Sequence, residues 1–354
     1  MRVAIVGGGV MGCTSALALA ERGADVVVLE RAVPGAEASS AAAGILGAQV
    51  ELQGRGEDAG LFVRARDAWK GWSQALRDAS GIDVGYRVSG VLRVAWTDDE
   101  RVDLGREASW QAGLGLRTSL LDAAGAREIE PRLAHDVVAA VHFPDDAQVD
   151  PPALLRALMA SLARSTRIAV RSGTTVQKLL VERDRCVGVA LDDGPLRADA
   201  VVLAAGSWSS LVAGVPESLP VVRPVRGQMV LLEERPPSVR SIVFGAGAYV
   251  VPRGDGRVLC GSTMEHAGYR KEVTAAGVHA ILDGALACIP SLGAAELAGS
   301  WSNFRPYVEG RHALVGASPL PGLFLATGHH RNGILLSKLT ADTLTDTILG
   351  TPIQ

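Results

Sequence analysis

Nowhere along the 354 residues do lysines and arginines gather into a run or stripe, and the net charge is only -3. Such a chain lacks the electrostatic footprint that nucleic acid or an anionic membrane surface requires. It also lacks an uninterrupted apolar run of transmembrane length, so no spanning helix is expected, while peripheral attachment stays open. The four cysteines, Cys13, Cys186, Cys260 and Cys288, are widely spaced and form no C-x-x-C pair. That removes the redox-active disulfide of one large class of flavoprotein reductases and points to free thiols in a reducing, cytoplasmic compartment. The seven histidines show neither H-x-x-x-H nor Cys/His spacing, so no metal site is expected. Internal repeats and low-complexity tracts are missing too, apart from the alanines Ala41 to Ala43.

What is present is an ordinary globular composition, 48% apolar and 21% charged, in a chain long enough for two domains. Its organising stretch is the first thirty residues. Val3 to Val6 read as a buried strand, Gly7-Gly8-Gly9-Val10-Met11-Gly12 as a G-x-G-x-x-G turn and Val10 to Arg22 as a helix stopped by Gly23. Val26 to Leu29 follow as a second strand that ends on Glu30. Gly7 allows the tight turn, Gly9 a close approach to a pyrophosphate, and Gly12 close packing of helix on strand. The helix N-terminus faces the anion, and Glu30 suits a ribose diol while repelling a 2′-phosphate, which argues against NADP. Arg2, the apolar run and Ala18-Leu19-Ala20 also have the form of a secretory signal. A signal has no need of Gly7, Gly9 and Gly12, and its cleavage would discard half of a complete βαβ unit.

Beyond Glu30, the stretch through Ser39, Ser40 and Ala41 to Glu51 turns small and apolar, as a close backbone approach to a large ligand requires. Ser39 and Ser40 offer hydroxyls and N–H groups to phosphate, and an Ala-rich helix start capped by a serine is the structural alternative. Phe62 to Ala79 read as an amphipathic helix with Trp69, Trp72 and Leu76 inward. Strand texture begins at Ile82 and short helices are expected at Glu107 to Ala112 and Asp122 to Arg127. A strand at Val137 to Phe143 and a helix opened by Pro151 and Pro152 come next. Asp199 to Ala205 form an apolar strand running into Gly206, as if returning to the first sheet. Ala248 to Arg253 and Val258 to Met264 look like paired strands around the Gly254-Asp255-Gly256 turn. Near the end, Leu323 to Thr327 run into Gly328, and His329 opens a final helix through Leu349. Two strand-glycine-helix ends in one chain suit an extended dinucleotide held at both extremities, hence FAD rather than an exchangeable NAD. Texture alone divides the chain into a nucleotide unit at 1–80, 145–219 and 322–354 and a second unit at 81–144 and 220–321.

VAIVGGGVMG, Glu30, SSAAAGILGAQVE, VVLAAGSWS, AYVVPR, GSTM, Arg305-Pro306 and ATGHHRNGILL together resemble the D-amino-acid-oxidase family of FAD flavoproteins, in particular its glycine-oxidising branch of thiamine biosynthesis. The resemblance implies an α/β fold: a Rossmann-like FAD domain beside an α+β substrate domain with a large antiparallel sheet. It also implies oxidation of a small amino acid or amine to the imine by hydride transfer to flavin N5, with O2 reduced to H2O2. Flavin contacts would fall on Val10, Met11, Glu30, Arg31, Ser39, Ser40, Ala43, Gly44, Ile45 and Val176. Gly206 and the segment His329, His330, Arg331, Asn332, Gly333, Ile334 and Leu335 would complete them. Arg305 would hold the substrate carboxylate, Tyr249 would help orient it, Arg331 would lie close by, and Met264 would line the pocket. Two departures fall near the pocket: Gly247 stands where a histidine is seen, and His330 replaces an aromatic.

No protein base is obligatory for such chemistry, because the cofactor is the electron acceptor and the protein binds and orients. No acid or base catalyst is therefore assigned. A carboxylate calls for a planar bidentate donor, which is arginine rather than lysine. An internal salt bridge is the structural alternative for Arg305, and plain packing for Tyr249. A D-amino-acid or N-methylamino-acid (sarcosine-type) dehydrogenase with another electron acceptor is the alternative enzyme. A flavin hydroxylase fits less well, because Leu314-Val315-Gly316-Ala317 carries no acid. A non-catalytic flavin-binding protein is the alternative of another class. Substrate side-chain size, covalent attachment of FAD and oligomeric state, a homo-oligomer included, are left open by the sequence.

Overall fold

The computed structural model describes residues 1–52, 56–245 and 247–350. Its first sheet has six strands in the order Leu314–Ala317, Leu323–Thr327, Ala200–Leu203, Arg2–Val6, Asp25–Leu29 and Ile168–Arg171. All neighbours are parallel except the first pair. Val3 to Val6 and Ala200 to Leu203 are buried along their whole length. A strand covered on both faces must be apolar throughout, which is why these segments do not alternate. The helices Val10–Glu21, Gly56–Ser80, Pro151–Arg164 and Gly333–Leu349 pack against one another beside this sheet. Trp69, Trp72 and Leu76 are all buried in that layer.

The second sheet has eight strands, in the order Glu296–Tyr307, Arg223–Glu233, Arg257–Gly261, Tyr249–Pro252, Ile242–Phe244, Val91–Ala95, Ala139–Phe143 and Ser119–Asp122. It is antiparallel except where Ile242–Phe244 lies parallel to Val91–Ala95. That junction joins a strand from the early segment to one from the late segment, and no hairpin dictates its direction. Tyr249–Pro252 and Arg257–Gly261 pair antiparallel around the expected turn.

Several elements differ from the sequence reading. The helix expected from Glu107 begins at Asp98, where Thr97 and Glu100 form a reciprocal capping box. Its first turns are polar, so apolar periodicity gave no sign of them. Arg223–Glu233, which pairs with both Glu296–Tyr307 and Arg257–Gly261, and the helix Ala275–Cys288 were not anticipated. The change of segment expected at 322 falls inside the hairpin of Leu314–Ala317 and Leu323–Thr327. The stretch around Ser39 does hold one helical turn, Ala38–Ala41, but its N-cap is Glu37 rather than a serine and no side chain caps it; Ile45–Leu46 then pairs with Ala147–Gln148.

Candidate functional site

The cavity is built first by glycines. Gly7 has a φ of 109° directly after the first strand, and a Cβ there would overlap the carbonyl oxygen of Ala204 on the neighbouring strand. A Cβ on Gly12 would overlap the carbonyl oxygen of Gly7, so helix and turn touch backbone to backbone. The Val10 N–H donates to Ser39 Oγ at 3.0 Å, tying the start of the helix to the loop that follows the second strand. Glu30 accepts from the N–H groups of Gly8 and Ala32, both at 2.9 Å, one through each carboxylate oxygen. Each oxygen keeps a second lone pair, and together these are the acceptors a ribose diol requires.

From this point a continuous cavity of about 370 Å³ runs to the edge of the second sheet. That volume lies within the range of small-molecule and cofactor sites, roughly 300–1,000 Å³. Of the residues expected to meet a cofactor, Gly7, Gly9, Val10, Met11, Glu30, Arg31, Ser39, Ala43, Gly44, Ile45, Val176 and Gly206 line it, as do His329 to Ile334. Gly12, Ser40 and Leu335 do not line it. Gly12 is packed on Gly7, Ser40 Oγ donates to the carbonyl of Glu37, and the carbonyl of buried Leu335 accepts from Trp69 Nε1 at 3.0 Å.

At the far end stand Tyr249, Arg305 and Arg331. Arg305 Nη1 donates to the carbonyl of Thr263 at 3.0 Å and Nη2 to Ser262 Oγ at 2.6 Å. Tyr249 Oη lies 3.2 Å from Met229 Sδ. Arg331 is held by Glu51, with Nη2 2.9 Å from Oε1. Arg31 is likewise paired, with Glu37 at 3.0 Å. Among the described residues, Arg305 is thus the lining arginine that no carboxylate partners. Burial holds its pKa below the ordinary arginine value. A partly buried cation with no carboxylate in direct contact favours an anionic ligand.

Met264 departs from expectation. It is 55% exposed and outside the cavity lining, while Ser262 and Thr263 just before it face Arg305. Several lining residues had no assigned role in the sequence reading: Glu51, Gly227, Met229, Asn303 and Trp208. Gly227 and Met229 lie on the unanticipated strand, two residues apart and so on one face. Glu51 closes the quoted AGILGAQVE run, and an acid ending a small apolar stretch was the available signal.

His329 Nε2 lies 2.9 Å from Thr340 Oγ1, and burial lowers the ring's pKa to about 3. The His330 ring sits edge-on to Tyr307 at 5.2 Å. Its pKa falls to about 4 through burial first and then through the nearby Arg305, Arg331 and His266. Both rings are therefore neutral at ordinary pH. His329 Nδ1 and His330 Nε2 are buried and have no hydrogen-bond partner among the described residues, a state that a ligand with polar edges can relieve. Glu30, the glycine cradle and these unpartnered nitrogens together fit FAD.

A mainly parallel sheet with helices on one face and the strands Lys178–Glu182, Arg185–Leu191 and Gly194–Arg197 on the other, carrying a glycine turn, an acid at the tip of the second strand and a second pocket at the other end of one cavity, defines a dinucleotide-dependent enzyme. The chain belongs to the FAD dependent oxidoreductase (DAO) family, whose profile matches residues 2–347. It is 38% identical over 352 residues to a glycine oxidase of Geobacillus kaustophilus, covering 98% of this chain and 92% of the relative. It is 35% identical to a bifunctional protein ThiO/ThiG of Nostoc, aligning with 98% of this chain and 52% of that longer protein. The structure matches the crystal structure of a glycine oxidase from Bacillus cereus with a TM-score of 0.91 and 32% identity, covering 99% of this chain and 96% of that one. Among the described residues no helix is long and apolar enough to cross a membrane.

Proposed function

We propose that the protein oxidises glycine, or a similarly small amino acid, to the corresponding imine and passes the electrons to O2, giving H2O2. The observation that carries this reading is the position of Arg305, a lining arginine with no carboxylate partner among the described residues, beside Tyr249 in the cavity that reaches Glu30. FAD, when bound, supplies the two-electron acceptor for a hydride from the substrate α-carbon. The chain's own residues bind and orient. Arg305 takes the carboxylate, Tyr249 borders it, and the neutral rings of His329 and His330 add no charge to compete with it. Their low pKa also keeps both rings unprotonated at neutral pH, so neither is an imidazolium acid there. Orientation of one C–H bond by a fixed ion pair is then the protein's main contribution.

Glycine oxidase relatives of nearly the same length support the small substrate. We assign the enzyme to the cytoplasm, in line with four free, buried cysteines. The test is the visible spectrum of the purified protein before and after anaerobic glycine. Bleaching of a flavin band followed by H2O2 release on admitting air is the expected outcome. A band that persists with glycine sinks the glycine assignment, and bleaching without H2O2 on reoxidation by air sinks the assignment of O2 as acceptor.

A further inference from the structure

Two arginines meet the substrate end of the cavity, and they are compensated differently. Arg331 is gripped by Glu51, with Nε 3.2 Å from both carboxylate oxygens and Nη2 2.9 Å from Oε1. Arg305 donates to a carbonyl and a hydroxyl and lies beside Tyr249; among the described residues no carboxylate pairs with it, although the Glu51 charge reaches it from Arg331. Burial opposes charge on both guanidiniums, yet the pKa of Arg331 ends above the ordinary value because of Glu51, whereas that of Arg305 ends below it. With His329 and His330 neutral, the two cations and one carboxylate leave a single positive charge at this end.

Glu51 is held firmly enough to keep that balance. Its N–H donates to the Gly47 carbonyl at 3.3 Å, closing a tight turn. The Gln49 and Val50 N–H groups of the same turn donate to the fully buried carboxylate of Asp146, at 3.1 and 3.0 Å. Gln49 is itself buried and locked to Gln111 and to the carbonyl of Arg117. The turn that carries Glu51 is thus anchored in a buried polar network rather than free on the surface.

We propose that Glu51 is a specificity-determining residue: by neutralising Arg331 it limits the pocket to one anionic group, so the enzyme accepts amino acids with a single carboxylate and rejects those with two. The proposal rests on Arg305 as the carboxylate anchor. A second carboxylate entering the cavity meets the Glu51 oxygens in a partly desolvated site, where like charges repel strongly. Removing the Glu51 charge leaves two cations, the complement of a dicarboxylate.

The experiment titrates acetate and malonate into the FAD-loaded protein and follows the flavin absorption. In Glu51→Gln, preference for malonate over acetate is expected to rise about tenfold or more relative to wild type, given the cost of like-charge juxtaposition. An unchanged preference overturns the proposal. Acetate binding by wild type with no shift in Glu51→Gln overturns the charge selection alone, whereas wild type binding neither anion overturns the anchor reading and this one with it. A second pair of variants covers loss of FAD by Glu51→Gln. Arg331→Gln leaves Glu51 facing Arg305 and is expected to weaken acetate about tenfold on the same repulsive grounds. Adding Glu51→Gln to it removes both charges and restores acetate binding. Failure of that rescue overturns the proposal, because a direct contact from Arg331 predicts none.

Discussion

The guanidinium of Arg305 lies over Gly227, in the space that a Cβ at that glycine would occupy. The two residues sit on adjacent antiparallel strands, Gly227 opposite Asn303 and Arg305 opposite Val225. The missing side chain is what lets the guanidinium lie over the sheet and reach Ser262 and Thr263. Gly227→Ala should therefore displace the guanidinium without touching the nucleotide end. We expect kcat/KM for glycine to fall by roughly 100-fold, the scale of an ångström's misplacement, with FAD absorbance retained. Unaltered kinetics in this variant would count against Arg305 as the anchor.

Arg305→Lys preserves charge but loses the planar fork. The expected loss is on the order of 2 to 4 kcal/mol, or roughly 30- to 1,000-fold in kcat/KM, with FAD still bound. Steady-state kinetics on the holoenzyme decide it, and full activity would remove Arg305 from the site.

Gly12→Ala tests the other end. The added methyl would collide with the carbonyl oxygen of Gly7, a backbone atom that cannot swing aside. Overpacking of this kind costs about 1–3 kcal/mol or more, so a lower urea midpoint and loss of FAD on gel filtration are expected. A variant of wild-type stability with tightly held FAD would contradict the close packing of helix on turn.

The two neighbouring histidines predict an acid sensitivity with a definite sign. His330 is held near a pKa of 4 and His329 near 3, both below the ordinary 6.5. Between pH 6.5 and 4 the unfolded chain binds protons at these positions that the folded protein does not. Stability therefore falls as pH drops through that window. His330→Phe keeps the edge-on contact with Tyr307 and removes one such proton. Urea denaturation at pH 4.5, 5.5 and 6.5 should show a shallower decline in the variant; equal slopes would mean that His330 titrates normally.

The buried parallel strands, the helix behind Gly12 and the acid at Glu30 were legible because each is local: apolar runs, glycine positions and an acid in a fixed order within thirty residues. The cavity lining at His329 to Ile334 was legible for the same reason, through one distinctive run. Arg223–Glu233 was not, since its central place in the second sheet comes from pairing with strands far along the chain. The helix from Asp98 was read short because its beginning lies in a capping box rather than in apolar spacing. Met264 shows the reverse failure: the run GSTM was found, but which of its residues face the arginine depends on the irregular path the chain takes after the strand ends at Gly261, which the sequence does not state.

By itself, then, the sequence determined the nucleotide unit, the family it resembles and the arginine best suited to an anionic substrate. Tertiary structure alone decided which arginine remains uncompensated. Arg305 and Arg331 have the same side chain, and a salt bridge was an open reading for the first. The fold gives Glu51 to Arg331 and gives Arg305 the space over Gly227. Charge compensation depends on distances of a few ångströms between residues 280 positions apart in the chain, and such distances exist only once the chain has folded.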